Sequence, residues 1–474
     1  MDDRIKPWQW AAFAVGGLLC TYAVLSHLHY FGSISFLGAI LLIEIVIASL
    51  WKYEQRFFVM LMIAFLWAGM HVPLQNAWTS GRWFVLCTGA VIGYVVWMRA
   101  PRSRFRTIHL LAFFCVGAAL VSATVSSYVQ MASYKAVSLC LLFLYCSAGA
   151  RLAGIGREER FLRGLVWAGE IAVYATAICY FGLGESIWGN PNSLGAALSI
   201  GVFPILLWAW FASEGITEKF RRLAALLLCT YLIIFSLARA GIFSMAVVTL
   251  VFCLCLRQYR LLTKIMGLVL VMVALTGVLA PQTLSKSMEA LTDSVLYKGH
   301  KEQGLFGSRF SPWEKSIASI KQHPWFGTGY GTSPTGEDPG LNFGKFASSS
   351  ETVREHGSSY MTIAEWVGLL GVTPFLALLG VTAGNVWRVC GWMRRTSNFR
   401  HYSIPVAMVV LAGLMHANFE DWLFAVGAYP CVYFWVFAFL LADFQPASVV
   451  APNVAAFPRP SVSPAAFRAV ASGR

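Results

Sequence analysis

Residues 223–256 run LAALLLCTYLIIFSLARAGIFSMAVVTLVFCLCL, with Arg239 as their only charged side chain. About 20 apolar residues cross the hydrocarbon core of a bilayer, so the stretch is too long for one crossing. It divides at Ser236-Leu237-Ala238-Arg239-Ala240-Gly241 into two spans, at 223–238 and 240–256. Working outward with the same ruler, further spans fall at 8–28, 32–50, 57–73, 83–98, 107–128, 134–150, 162–182, 193–212, 263–280, 359–385, 402–416 and 422–441. Hydrogen bonds in a membrane must close within each segment or around a barrel, and the pattern lacks a barrel's alternation of about ten residues. The fold class expected is all-α, a polytopic transmembrane helix bundle of about 12–14 spans.

Composition agrees. Hydrophobic residues are 58% of the chain, charged residues 12%, against about 25% charged in a soluble domain. Mean hydropathy is +0.64. The net charge of +14 sits mostly in short loops, where membrane topology and anionic lipid headgroups account for it and no nucleic-acid partner is needed. The eleven cysteines all lie in or beside apolar runs without metal-ligand spacing, which suits packing residues.

Lys and Arg set the orientation. Alternate loops carry Lys52 and Arg56; Arg99, Arg102, Arg104 and Arg106; Arg151, Arg157, Arg160 and Arg163; Lys219, Arg221 and Arg222; Arg257, Arg260 and Lys264; and Arg388, Arg394, Arg395 and Arg400. Cytoplasmic loops hold such an excess, so both termini are expected in the cytoplasm. The expected organisation is transmembrane helices over 1–280, one long non-cytoplasmic loop over 281–358, C-terminal transmembrane helices over 359–443 and a disordered tail over 444–474 rich in Pro, Ala and Ser. The long loop, rich in Trp, Phe, Gly and Pro, is expected to fold and to carry the chemistry.

The same face gathers Asn190-Pro191-Asn192, Arg239, and His416 to Asp421 with Asn418 and Glu420. An arginine at the outer boundary runs against the positive-inside trend, which points to an anionic partner or a snorkelling side chain. His71, His300, His323 and His416 lack matching partners in the sequence and are expected to be structural. Gly327-Thr328-Gly329-Tyr330-Gly331 follows no strand and precedes no P-loop lysine, so a tight turn at the membrane surface fits better than a nucleotide loop.

Ser236-Leu237-Ala238-Arg239-Ala240-Gly241, Gly307-Ser308-Arg309 with Trp313, Pro324 to Gly331, and His356-Gly357-Ser358-Ser359-Tyr360 leading into Glu365-Trp366-Val367-Gly368-Leu369-Leu370-Gly371 together resemble the O-antigen ligase and polymerase superfamily. The resemblance covers roughly 190–385. It implies an inverting, metal-independent glycosyltransferase of the bacterial inner membrane, with the long loop in the periplasm and no cofactor. The donor would be an undecaprenyl-diphosphate-linked glycan; the acceptor would be lipid A-core in a ligase or another lipid-linked glycan in an O-antigen or exopolysaccharide polymerase. Arg239 and Arg309 map onto the family's diphosphate-binding arginines and His356 onto its catalytic histidine. Gly357 stands where the family often has Asn. Asn190, Asn192, Arg354, Glu420 and Asp421 are candidates for acceptor binding or support of the site. The chemistry suits these residue types, because arginine forks neutralise a departing diphosphate and a neutral histidine accepts a hydroxyl proton. A lipid-linked oligosaccharide flippase is the reading from another class; it should place charges inside spans and show two similar halves, and the sequence displays neither.

Overall fold

The computed structural model describes residues 53–72, 75–98, 105–184, 187–260, 263, 307–333 and 356–446. The spans expected at 8–28, 32–50 and, apart from Thr263, 263–280, most of the long loop, His300, Arg354 and most of the Pro-rich tail lie outside these residues. Among the described residues every regular element is helical. In order they are α1 Tyr53–Ala68, α2 Gln75–Met98, α3 Thr107–Thr124, α4 Val129–Ser147, α5 Gly149–Gly154, α6 Glu158–Ala177, α7 Pro191–Ala196, α8 Phe203–Ala212, α9 Ile216–Phe235, α10 Arg239–Cys255, α11 Gly307–Gln322, α12 Ser359–Thr396, α13 Ser403–His416 and α14 Tyr429–Asp443. The protein is a polytopic helix bundle, and six of its described spans are long and apolar enough to cross a membrane.

Local sequence explains the helix ends that matter for the site. α7 starts because the Asn190 side chain accepts the Ser193 N–H at 2.7 Å and Pro191 occupies the first turn, where its missing N–H costs nothing. Glu158 and Glu159 place negative charge in the first turn of α6, at the positive end of its dipole. Both α6 and α7 run on through π-helical turns, at Ile178–Leu183 and Ala197–Val202. The span expected at 422–441 begins later, at Tyr429, because residues 417–428 form a chain of turns across the end of the bundle.

α14 buries Phe434 to Ala442 without a break and is the central helix, as expected for one that is apolar on all sides. α13 packs beside it and α12 runs along α3. The outward faces of α2, α3 and α6 present Phe84, Phe113 and Trp167, which suits contact with lipid chains. Lipid tails are as apolar as these residues, so helix association rests on packing and hydrogen bonds.

The two ends of the bundle differ in chemistry. At one end the Arg151 guanidinium, 3% exposed, donates to both carboxylate oxygens of Asp443, Nε to Oδ2 at 2.6 Å and Nη2 to Oδ1 at 2.8 Å. The same guanidinium stacks 4.2 Å from the Trp97 ring, and Arg106 lies 3.5 Å from Asp443. Arg400 with Glu214, and Trp208 with the Phe399 carbonyl, close the same end. Arg106 and Arg151 thus meet at Asp443, and the loops carrying Glu214 and Arg400 are neighbours. Breaking a buried pair leaves a bare charge behind, so Arg151→Ala is expected to cost about 3–5 kcal/mol. Thermal unfolding of the purified protein measures it.

Charged side chains do enter the spans, against the expectation drawn from sequence. Lys135 and Arg151 lie in Val129–Gly154, Glu170 in Glu158–Leu183 and Glu365 in Ser359–Thr396. Lys135, Glu170 and Glu365 already stood within the spans drawn at 134–150, 162–182 and 359–385, where the sequence reading passed over them; Arg151 joins them because its helical segment runs past residue 150 to Gly154. Glu170 is matched by Arg221 at 3.4 Å. This weakens the contrast with a flippase and leaves the site geometry to carry the distinction.

Candidate functional site

At the other end of the bundle, the Pro324–Gly331 segment enters a break in α12. Gly368, with φ +65 and ψ −175, interrupts that helix. In an unbroken helix the N–H of Leu369 would bond to the Glu365 carbonyl, and that of Leu370 to the Trp366 carbonyl. Here the four groups are exchanged with the turn. The Glu365 carbonyl accepts from Thr328 N–H at 3.0 Å and the Trp366 carbonyl from Gly329 N–H at 3.1 Å. Leu369 N–H donates to Pro324 at 2.8 Å and Leu370 N–H to Trp325 at 3.2 Å. Irregular backbone at membrane depth is tolerated when protein satisfies it in this way.

The close fit requires glycine on both sides. A Cβ at Gly327 would lie 2.3 Å from the Trp366 carbonyl oxygen, and one at Gly368 would lie 2.5 Å from the Gly327 nitrogen. Gly368→Ala is therefore expected to lose at least about 1–3 kcal/mol from backbone strain alone, with the clash in addition. Thermal unfolding beside the exposed Leu370→Ala checks it. The turn is further fixed by Ser126 Oγ and Thr332 Oγ1 at 2.7 Å, by Lys135 donating to the Gly331 carbonyl, and by the Tyr330 hydroxyl donating to the Phe424 carbonyl at 2.8 Å. Tyr330 is thus a packing residue, 1% exposed.

This turn delivers Ser333 to His356. The His356 side chain is fully buried, at 0% exposure. Nδ1 lies 3.2 Å from Asp421 Oδ2, which also accepts the His356 backbone N–H at 3.0 Å. Nε2 lies 2.9 Å from Ser333 Oγ and 3.5 Å from Glu365 Oε1. The Trp366 indole donates to Ser333 Oγ at 3.4 Å, and its ring meets the imidazole edge on at 5.8 Å. These partners suit the tautomer in which Nδ1–H donates to Asp421 and Nε2 accepts from the Ser333 hydroxyl. Burial pushes the imidazole pKa down, but the bonds to Asp421 and Glu365 and their charges outweigh it, and the net displacement is upward. For Asp421 burial acts upward, and the bonds to His356 overcome it and hold the carboxyl below its usual range.

Around this centre the other candidates fall into place unequally. Arg239 opens α10 two residues after Leu237, whose φ of +53 is unusual for a residue other than glycine. The start of α10 lies against α7, since a Cβ at Gly241 would sit 3.1 Å from the Gly195 carbonyl oxygen. Phe243 of α10 meets Phe419 edge to face at 5.4 Å. Asn192 Nδ2 donates to Glu420 Oε1 at 3.4 Å, so the Asn190 segment and the Glu420-Asp421 turn form one rim. Asn190 itself is occupied as the cap of α7. Arg309 belongs to the first turn of α11, and its side chain lies outside the described residues. His416 accepts from the Trp422 indole at 3.0 Å, in keeping with a structural role.

Sequence reasoning missed Ser333, Glu365 and Lys135 as neighbours of the site. Glu365 stood in the quoted motif, and a carboxylate within an apolar run was the signal available. Lys135, within the span drawn at 134–150, gave the same signal, and Ser333 gave none. Among the described residues no three His, Cys, Asp or Glu side chains are arranged to hold a metal ion. No curated protein matches the chain. The family model described as O-antigen ligase matches residues 224–376. That stretch contains Arg239, Arg309, the glycine turn, His356 and Glu365, and over it the chain is similar to the O-antigen ligase family.

Proposed function

We propose that this protein is a periplasm-facing inverting glycosyltransferase of the bacterial inner membrane, moving a glycan from undecaprenyl diphosphate to a hydroxyl of lipid A-core. The observation that carries the reading is the His356 imidazole, buried and held by Asp421, at the bundle end where α10 begins with Arg239. Asp421 on Nδ1 leaves the Nε2 lone pair as the basic position. A sugar hydroxyl reaches Nε2 by displacing Ser333 Oγ or by passing its proton through it. The hydroxyl oxygen then bonds to the anomeric carbon, the carbon–diphosphate bond breaks with its electrons going to the diphosphate, and the proton rests on Nε2. Arg239 and Arg309 hold the diphosphate as its charge grows. General base catalysis of this kind contributes about 10²–10⁴ in rate.

Purified protein, given an undecaprenyl-diphosphate-linked glycan and lipid A-core without nucleotide sugar, should join the two and release undecaprenyl diphosphate. Translocation of the donor without joining would support the carrier reading. Lipopolysaccharide from cells lacking the gene separates ligase from polymerase. Full-length chains left on the lipid carrier indicate a lost ligase; a single repeat on the core indicates a lost polymerase.

A further inference from the structure

The transfer just described leaves Glu365 without a task, although a carboxylate at 0% exposure within a membrane helix is costly to keep. Its Oε1 lies 3.5 Å from His356 Nε2, on the nitrogen that Asp421 does not touch. Among the described residues, the groups facing the imidazole are Asp421 from the 417–428 turns, Glu365 and Trp366 from α12, and Ser333 from the glycine turn. Only the two carboxylates among them are ionisable. The two partners of Nε2 have complementary chemistry. Ser333 has a hydroxyl proton to give to the neutral ring; Glu365, when ionised, has only lone pairs, which match a ring that has gained a proton.

We propose that Glu365 is a positioning residue for the transfer, receiving the Nε2–H of His356 once the imidazole has taken the acceptor's proton. The inference rests on His356 being the base. Before transfer the Ser333 hydroxyl points at Nε2. Afterwards Nε2 carries the proton, the Ser333 hydroxyl turns away, and the imidazolium lies between Asp421 on one nitrogen and Glu365 on the other. The buried Glu365 and the half-buried Asp421 around a neutral ring leave two negative charges; the incoming proton offsets one of them. The site therefore favours the proton's arrival, and its short backbone link to the glycine turn through the Glu365 carbonyl keeps the carboxylate in reach.

The test is the titration of His356 in ¹⁵N-histidine-labelled full-length protein in nanodiscs, with the resonance assigned by its loss in His356→Gln. Glu365→Gln keeps the shape and removes the charge. Its His356 midpoint should fall by about 1–3 pH units, the usual influence of a close opposite charge. The acid limb of transfer should move with it, and maximal turnover should drop while KM for the donor stays near the wild-type value. Glu365→Asp, with the charge one methylene further away, should titrate between the two and regain part of the turnover. A midpoint unchanged in both variants overturns the proposal, because it means that Glu365 is not an ionised partner of the ring. A midpoint that falls while transfer is unaffected overturns the role in transfer and, separately, the assignment of His356 as base.

Discussion

His356→Ala should lose most of the proposed transfer while the protein still binds an undecaprenyl-diphosphate donor. The expected loss is about 10²–10⁴ in turnover, the usual contribution of a positioned base. Donor affinity survives because the histidine acts on the acceptor hydroxyl. Asp421→Asn should fall in the same direction, since an amide in place of the carboxylate no longer fixes Nδ1–H or stabilises the imidazolium. The pH dependence has a defined sign. Only neutral imidazole accepts a proton, and the His356 pKa is raised, so the acid limb should lie above the reference value of about 6.5. Activity falls as pH drops through that limb. Stability moves the other way: the contribution of the raised imidazole is full below the unfolded pKa and fades as pH rises through the folded one. Initial rates and thermal unfolding across the same buffers check both signs. Transfer by His356→Ala at the wild-type rate would move the role of base to Glu420.

Arg239→Ala and Arg309→Ala should each remove transfer through the donor side, with membrane expression intact. Each charge-assisted hydrogen bond is worth about 1.5–3 kcal/mol, and a forked guanidinium makes two, so a loss of about 10²–10⁴-fold in donor affinity is expected for each. Lysine at either position should recover little, because an ammonium cannot reproduce the planar fork. Binding of a fluorescent undecaprenyl-diphosphate analogue, measured beside transfer, separates this defect from that of His356→Ala. If either alanine variant binds donor normally, that arginine is an anchor at the membrane boundary. Activity should persist in excess chelator.

The fold was legible in hydropathy because each span must satisfy its own backbone and be apolar where lipid touches it. The division at Arg239 is an example: α9 ends at Phe235 and α10 begins at Arg239. The pairing of His416-to-Asp421 with the Asn190 segment was legible only as a shared face, and became the Asn192–Glu420 and His356–Asp421 contacts. Hydropathy could not show that the glycine run and the Glu365–Leu370 stretch complete each other. Each looks self-sufficient by itself: one as a turn, the other as a helix. The need for a partner appears only when Gly368 takes a positive φ and strands four backbone groups. Ser333 was invisible for a related reason, since its significance comes from the register of that insertion.

The clasp between Arg151 and Asp443 has a bearing on biogenesis. Arg151 emerges from the ribosome in the first third of the chain, and Asp443 emerges close to its end. Until α14 is made, the guanidinium has the Trp97 ring and the Ser147 carbonyl beside it but neither carboxylate oxygen to occupy. The same late segment, after α13, brings Asp421 to His356. The last helix pair thus seats the anchor at one end of the bundle and orients the imidazole at the other, so a chain truncated before residue 421 would lack both the partner of Arg151 and the carboxylate that holds His356.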